Sequence, residues 1–595
     1  MKKFVFVSGG VCSGLGKGVS ASSIGALLEG RGLNVRMIKC DPYINADAGT
    51  MSPFEHGEVY VTDDGAETDL DLGNYARFTR GLLTKANSMT AGQVYRSVIE
   101  QEREGKYLGK CVQVIPHITD EIKRRIMAVA DADADTDFVI IEIGGTVGDI
   151  ESVPFLEAAR QIIHEQRGRK NAVSVHLTLI TEVSGGELKT KPSQHSVKAM
   201  QGMGLQPDVL ICRAPRLLDE DTRRKLALFT NVDGDAVFTS RDIDTTMYEI
   251  PLMFFEQKLD QVILRKLGVE FRHSNLGPWR SMMERFAARS GKVRIGVVGK
   301  YMELHDAYKS VYEALFHAGL ECAVEVEIVK IDSSCMEEGG GGAAGGEAAA
   351  PDGSLDGILI PGGFGVRGIN GIMRVAQWAR EGKVPCFGIC LGMQIMVIEW
   401  CRSVMGWADA DSSEFSRDAG RSVISLLDGQ DGEKNLGGTM RLGLGESVAE
   451  PGTHIFAAYA PADGAAAAQA PQGGAVPGPA THGASLEVAA QGGGAASGGA
   501  GGCLAPDGRA RLWERHRHRY EFSNRFRGEI AASGLKIAAV TPDGSLVECV
   551  EWPDHPWGVG VQFHPEFKSR PTAAAPLFRD FVTAAKNFRF NREGR

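Results

Sequence analysis

At 595 residues the chain exceeds what one compact hydrophobic core holds, so two or more domains are expected. Its hydrophobic share of 43% and charged share of 24% are those of an ordinary globular protein. A formal net charge of −10 argues against broad electrostatic capture of nucleic acid or anionic membrane, so an anionic ligand must be met by local Lys and Arg clusters. The opening apolar run Phe4–Val7 is too short for a signal segment, and no later run approaches membrane-spanning length. Eleven scattered Cys, odd in number and without a CxxC pair, read as reduced thiols and a cytoplasmic location.

Over residues 1–272 short β-branched runs alternate with helical patterns. The expected elements are a strand at Phe4–Val7, a helix over Lys17–Arg31, and strands at Val35–Lys39, Val112–Ile115, Phe138–Glu142, Val173–Leu179 and Val209–Cys212. That alternation predicts a parallel sheet covered by helices on both faces. The pattern loosens at Asn275-Leu276-Gly277-Pro278, which places a linker over 273–292. A second α/β cycle begins at Val293–Gly299 and fills 293–590. It has a helix near Ala307–Ala318, strands at Val324–Lys330, Gly357–Ile360 and Val384–Ile389, and a helix after Cys390. Two Gly/Ala-rich tracts interrupt it, at 337–351 and 458–502. Both hold too few large apolar side chains to offset the entropy of ordering, and are expected as solvent-exposed insertions.

The first motif is Ser8-Gly9-Gly10-Val11-Cys12-Ser13-Gly14-Leu15-Gly16-Lys17-Gly18, between a strand and a helix. Glycines let backbone N–H groups converge on phosphate oxygens, the helix N-terminus adds a positive end, and Lys17 adds full charge. Gly18 stands where a common phosphate loop has its Mg²⁺-binding Ser or Thr, so this is either a plain glycine turn or a variant with metal ligands from elsewhere. Asp71, in the acidic run Asp64–Gly73, and Glu142, at the end of an apolar strand, favour the variant. Lys189-Thr190-Lys191-Pro192-Ser193-Gln194 gathers cations, hydroxyls and an amide; composition leaves it open between surface loop and ligand contact. Lys39 is equally ambiguous.

The second motif, Gly388-Ile389-Cys390-Leu391-Gly392, matches a nucleophile elbow with Cys in place of Ser. The small flanking residues permit a sharp turn, and the following helix N-terminus favours thiolate. His564-Pro565-Glu566 supplies a base and a carboxylate to orient it. The glycine turn Pro361–Gly365 offers backbone N–H groups that with Leu391 suit an oxyanion hole. In Glu514-Arg515-His516-Arg517-His518-Arg519-Tyr520 the lack of interleaved aromatics disfavours nucleic acid, and Arg there suits a substrate carboxylate.

These segments, together with Lys39–Asn45, Gly49–Pro53, Gly65–Gly73 and Glu142–Glu151, resemble the CTP synthase family over nearly the whole chain, apart from the two insertions. The resemblance implies an N-terminal P-loop amidoligase domain fused to a class I glutamine amidotransferase domain, two three-layer α/β units. It implies ATP-dependent phosphorylation of UTP at O4, then displacement by ammonia released from glutamine through a thioester on Cys390, with His564 and Glu566 completing the triad. By the same resemblance Ser13, Gly14, Leu15, Gly16, Lys17, Gly18, Val19, Lys39 and Asp71 bind ATP, and Asp71 and Glu142 hold Mg²⁺. Ser13, Asp149, Ile150, Glu151, Lys189, Thr190, Lys191, Pro192, Ser193, Gln194 and Lys225 contact UTP or CTP. Gly363, Leu391, Gly392, Met393, Gln394, Glu414 and Arg519 hold glutamine, and His56 lines the ammonia path. Leu436–Gly443 resembles a lid that senses GTP, an allosteric activator; the 458–502 tract departs from the family pattern just after it. CTP is expected as product inhibitor and a homotetramer as the active unit, with stacking into filaments left open. Two alternatives are another P-loop amidoligase with a fused glutaminase, and a non-catalytic nucleotide-binding paralogue. The Gly65–Gly73 run counts against the first, and the presence of Cys390, His564, Asp71 and Glu142 against the second.

Overall fold

The computed structural model describes residues 2–49, 51–168, 170–336, 353–416, 420–426, 440–460 and 502–593. The tract at 337–351, residues 461–501 of the second tract, and Leu436–Thr439 of the lid segment lie outside the described residues. Those described fall into two compact units: residues 2–48 with 71–283, and residues 49–70 with 284–460 and 502–593. Residues 49–70 thus group with the second half of the chain.

The first unit is built on a seven-stranded, wholly parallel sheet. Its strands are β1 (Lys3–Gly9), β2 (Val35–Asp41), β3 (Ser88–Thr90), β4 (Phe138–Ile143), β5 (Ala172–Leu179), β6 (Val209–Ala214) and β7 (Val237–Arg241), in the order β7-β6-β5-β1-β4-β2-β3. These runs are apolar on both faces because both are covered. Phe4, Phe6, Ile38, Val139 and Ile141 pack with Ile122, Ile126, Phe155, Leu156 and Ile162. The opposite face carries α1 (Lys17–Gly30), whose small buried residues Ser20, Ala21, Ser22, Ser23 and Ala26 bring it close to the sheet. The register sets Val7 of β1 and Lys39 of β2 on either side of Glu142 of β4, at the strands' C-terminal ends. Helix α2 (Leu70–Phe78) follows residues 49–70 and carries Asp71 and Tyr75 one turn apart. Within the expected linker stands α3 (Gly277–Ala287), whose Trp279 packs against Phe78 and Tyr248.

One expected strand is absent. Val112–Ile115 is not in a ladder: Val114–Ile118 forms a wide helical turn, with the Thr119 N–H donating to Val114 O, before the helix Thr119–Asp131. Pro116 has no N–H to give a sheet, and Val114 and Ile115 lie exposed, so the β-branched run carried no burial signal.

The second unit holds a ten-stranded mixed sheet. Its strands are β8 (Lys292–Gly299), β9 (Glu325–Asp332), β10 (Gly357–Ile360), β11 (Cys386–Ile389), β12 (Arg441–Ala449), β13 (Cys503–Leu504), β14 (Ala510–His518), β15 (Lys536–Val540), β16 (Val547–Glu551) and β17 (Gly558–Val561). The order is β9-β8-β10-β11-β17-β16-β15-β12-β14-β13, parallel from β9 to β17 and antiparallel beyond. The antiparallel half was not legible in the sequence because β14 reads as a charged run. Its alternate residues Ala510, Leu512, Glu514, His516 and His518 are nonetheless buried, and Glu514 Oε1 accepts from the Tyr459 hydroxyl at 2.6 Å.

Candidate functional site

Two clusters of polar side chains stand at strand ends, one in each unit. In the first unit the loop after β1 turns through left-handed Gly14 and Gly16 and leaves Ser13 and Gly14 exposed, with Lys17 opening α1. Lys17 Nζ donates to Gly145 O at 2.7 Å. Burial lowers its pKa, while Glu142 holds it up and Lys39 adds to the lowering. Arg213 Nη1 donates to Gly14 O at 3.0 Å, and Gly10 sits against Ser196, where a Cβ would collide with its hydroxyl. Ser196 in turn meets His176 Nε2 at 2.7 Å, and Ser8 meets Nδ1 at 2.9 Å. The loop is therefore anchored on three sides while its tip stays open to a ligand.

Behind the loop the Lys39 ammonium is buried among carboxylates. It pairs with Asp71, lies 3.2 Å from Glu142 Oε1 and 3.7 Å from Asp41 Oδ1. Tyr75 donates its hydroxyl to Glu142, and Asn74 Nδ2 donates to Asp71 Oδ1 at 3.2 Å. Burial, and next the charge of Asp71, raise the Glu142 pKa, while Lys39 opposes them. Gly18 has a reason that its place in the motif did not disclose: a Cβ there would stand 2.2 Å from Asp71 Oδ1. The carboxylate occupies the space that a Ser or Thr side chain would take. No group of three or more His, Cys, Asp and Glu forms a metal cage among the described residues. Two converging carboxylates whose mutual repulsion raises one of them do fit a divalent cation delivered with phosphate, which takes only one or two protein carboxylates.

The residues expected to contact UTP or CTP divide. Ser193 donates to Leu179 O at 2.9 Å, and Gln194 Nε2 donates to Thr190 Oγ1 at 3.0 Å, so these two serve the start of the helix Lys191–Gly202. Lys189 pairs with Glu187 at 2.6 Å and lowers its carboxyl pKa, with a smaller contribution from the charge of Lys225. Lys191 lies 5.9 Å from the Phe229 ring. Asp149 accepts from the Thr146 N–H at 3.2 Å, with Ile150 and Glu151 exposed beside it.

In the second unit β11 turns sharply into the helix Leu391–Ser403 through Cys390, whose φ of 54° and ψ of −103° are strained for a residue with a Cβ. A Cβ on Gly388 would lie 2.6 Å from Gly392 C, and one on Gly392 would lie 2.3 Å from Ile360 O. The turn thus dictates both flanking glycines. Cys390 Sγ lies 3.8 Å from Arg517 O and 3.7 Å from Gln562 Nε2. A Cβ on Gly362 would meet His564 Cε1 at 2.9 Å and Cys390 Cβ at 3.6 Å, so this backbone, the thiol and the imidazole converge.

His564 Nδ1 is 2.7 Å from Glu566 Oε1. Its Nε2 faces the thiol and has no other partner among the described residues. Burial lowers the His564 pKa, but the Glu566 carboxylate and the hydrogen-bonded Cys390 outweigh it and push the pKa up to about 10. Gly363 lies against the Leu391 side chain, and the Gly365 N–H donates to Glu414 Oε1 at 2.7 Å. Burial raises the Glu414 pKa, while the Gly365 N–H and the charges of Lys300 and Arg519 hold it down. Gln394 is buried, donating to Tyr520 O at 3.0 Å; Gly392 and Met393 are buried in the same first turn. His56 Nε2 lies 3.0 Å from Asp69 Oδ2.

Sequence reasoning passed over Tyr75, Asp41 and Gln562. Each carried a signal: Tyr75 is one helical turn from Asp71, Asp41 two strand positions from Lys39, and Gln562 two positions before His564.

Residues 3–269 match the family described as CTP synthase N-terminus, and residues 303–464 with 478–584 match glutamine amidotransferase class-I. A CTP synthase of Carboxydothermus hydrogenoformans is 47% identical over 586 residues, 98% of this chain and 99% of the relative. One from Clostridium acetobutylicum is 47% identical over 584 residues, 98% of each chain. Among solved structures, the glutaminase domain of Trypanosoma brucei CTPS with bound acivicin is 32% identical, covering 50% of this chain and 94% of that one, with a TM-score of 0.37.

Proposed function

This chain belongs to the CTP synthase family, and from that premise we propose that its two clusters divide one reaction, amination of UTP to CTP with ATP and glutamine. The domains are then an amidoligase over 1–272 and a glutaminase over 293–590, joined by 273–292. The observation that carries the reading is one chain holding both an open glycine loop backed by Lys39, Asp71 and Glu142, and a strained elbow Cys390 facing a carboxylate-bound histidine.

In the second unit the Cys390 thiolate attacks the side-chain amide carbon of glutamine. The N–H groups of Gly363 and Leu391 stabilise the oxyanion, and the His564 imidazolium gives its proton to the departing ammonia. His564 then takes a proton from the water that cleaves the thioester, releasing glutamate. Glu566 keeps the imidazole oriented throughout. Glu414 and Arg519 meet the substrate's charged ends, and Gly392, Met393 and Gln394 shape the floor.

In the first unit Lys17 and the N–H groups of residues 13–19 hold the ATP phosphates, with Lys39 supplying further positive charge. Asp71 and Glu142 would hold Mg²⁺, which when bound neutralises charge on the phosphates. O4 of UTP takes the γ-phosphoryl group with ADP leaving; ammonia adds at C4 and phosphate departs, giving CTP. Lys189–Gln194 and Lys225 hold UTP, and Asp149, Ile150 and Glu151 with Ser13 hold CTP as inhibitor. His56 lines the ammonia path, GTP activates through the lid segment, and the active unit is a cytoplasmic homotetramer. No helix among the described residues is long and apolar enough to cross a membrane.

Cys390→Ala tests the division. It is expected to abolish CTP formation from glutamine and keep that from free ammonia. Loss of both in a folded variant would overturn the assignment of separate sites.

A further inference from the structure

The His-Pro-Glu turn needs a fixed backbone as well as a carboxylate partner, and the source of that fixity is remote in sequence. The His564 N–H donates to Arg515 O at 2.8 Å, so β14 sets the position of the base through its main chain. The Arg515 side chain is buried and runs to residues 49–70: its Nε donates to Asp63 Oδ1 at 2.6 Å and its Nη1 to the Tyr60 hydroxyl at 2.5 Å. That hydroxyl donates in turn to Phe567 O at 3.0 Å, and Arg515 Nη1 reaches the same carbonyl at 3.4 Å. The Tyr60 ring meets the Phe567 ring edge-on at 5.2 Å, and the Phe567 ring stacks on the His564 imidazole at 5.2 Å and 17°. One arginine thus ties down both ends of the turn, the N–H of His564 through its own carbonyl and the carbonyl of Phe567 directly and through Tyr60.

We propose that Arg515, anchored by Tyr60 and Asp63, is a positioning residue for the glutaminase base His564. It touches no reacting atom. The inference rests on the reading of Cys390 and His564 given above, and makes glutamine hydrolysis depend on a segment of chain some way before the second half begins. Arginine suits this anchoring position because its planar fork serves Asp63, Tyr60 and Phe567 together, whereas Lys offers a point charge that cannot meet all three. A charged fork buried with its acceptors satisfied holds its neighbours more narrowly than apolar packing would.

The test uses the full-length protein with Arg515→Met, Arg515→Lys and Tyr60→Phe, the last removing a single hydroxyl and so keeping the fold. Glutamine hydrolysis is measured across pH, together with alkylation of the Cys390 peptide by iodoacetamide, followed by mass spectrometry. For Arg515→Met the expected result is a kcat reduced by about tenfold or more, since small misplacements of a catalytic group weigh heavily. The KM for glutamine should stay within about twofold, because the substrate contacts are untouched. Alkylation of Cys390 should slow as the thiol loses its fixed imidazole partner. Arg515→Lys should recover part of the loss, and Tyr60→Phe should change kcat in the same direction by less. CTP formation from free ammonia should be unaltered.

Unchanged kcat and alkylation profile in a folded Arg515→Met would overturn the proposal. So would a parallel fall in kcat, glutamine affinity and ammonia-driven synthesis, the mark of general destabilisation. A Cys390→Ala control separates the two readings: if that variant still hydrolyses glutamine, the assignment of the site itself fails, whereas its loss beside a normal Arg515→Met defeats only the positioning role.

Discussion

Replacing Gly18 by Ala places a methyl group 2.2 Å from Asp71 Oδ1 and 2.9 Å from its Cγ. Reaching an ordinary contact of 3.4 Å requires the carboxylate to retreat by about 1.2 Å. Two effects compete. Ala in a helix is worth about 1 kcal/mol over Gly, whereas an added methyl in a packed site costs about 1–3 kcal/mol. Asp71 is tied to Lys39 and to Asn74 at 3.2 Å, so it cannot swing away freely, and the steric effect wins. The variant should be slightly destabilised. Ammonia-driven CTP formation should fall by about 10²-fold, the effect expected of moving a catalytic group by an ångström. The assay is the ultraviolet absorbance change as UTP becomes CTP, run with Mg²⁺-ATP and ammonium, beside a thermal melt. A Gly18→Ala protein that is both more stable and fully active would refute the idea that this glycine exists to admit Asp71.

Asp71→Asn should lower CTP formation from glutamine and from ammonia alike, by roughly 10²-fold or more, while leaving glutamine hydrolysis in place; retained synthesis would remove Asp71 from the metal site. Glu566→Gln should cut glutamine hydrolysis by about 10²-fold without altering ammonia-driven synthesis. It should also change the pH dependence of stability. His564 is raised from 6.5 to about 10, so its extra stabilisation is fully present below pH 6.5 and is lost as pH rises through about 10. Melting curves should therefore show the parent's advantage over Glu566→Gln at about pH 6.5 shrinking towards pH 10. A gap that widens with pH would contradict the assigned ion pair.

The chemistry of both sites was more legible than their surroundings. The elbow cysteine, the His-Pro-Glu turn and the glycine loop stood out because each requires particular residue types at fixed spacing on a strand end. Most of the parallel strands were equally plain, being continuous apolar runs, but β3 (Ser88–Thr90) and β7 (Val237–Arg241) at the two edges of the first sheet were not among the expected strands. What escaped was decided by partners far away in the chain. Gly18 is explained only by Asp71, which a helix fifty-odd residues later brings to it. Strand β14 is written in charged residues, and its inward Glu514, His516 and His518 became readable only with their buried partners in view. The run Val112–Ile115 misled in the opposite sense, since local β propensity was overridden by Pro116 and by exposure. Nor did any periodicity show that residues 49–70 group with the second unit, because the partners involved, such as Arg515 for Asp63 and Arg517 for Glu67, lie hundreds of residues further along the chain.

The most direct test of the central claim is CTP formation by the purified full-length protein, supplied with UTP, Mg²⁺-ATP and glutamine, and in parallel with ammonium in place of glutamine. CTP is expected from both nitrogen sources, each dependent on ATP. Absence of CTP with ammonium as well as with glutamine, from folded protein, would contradict the two-site reaction.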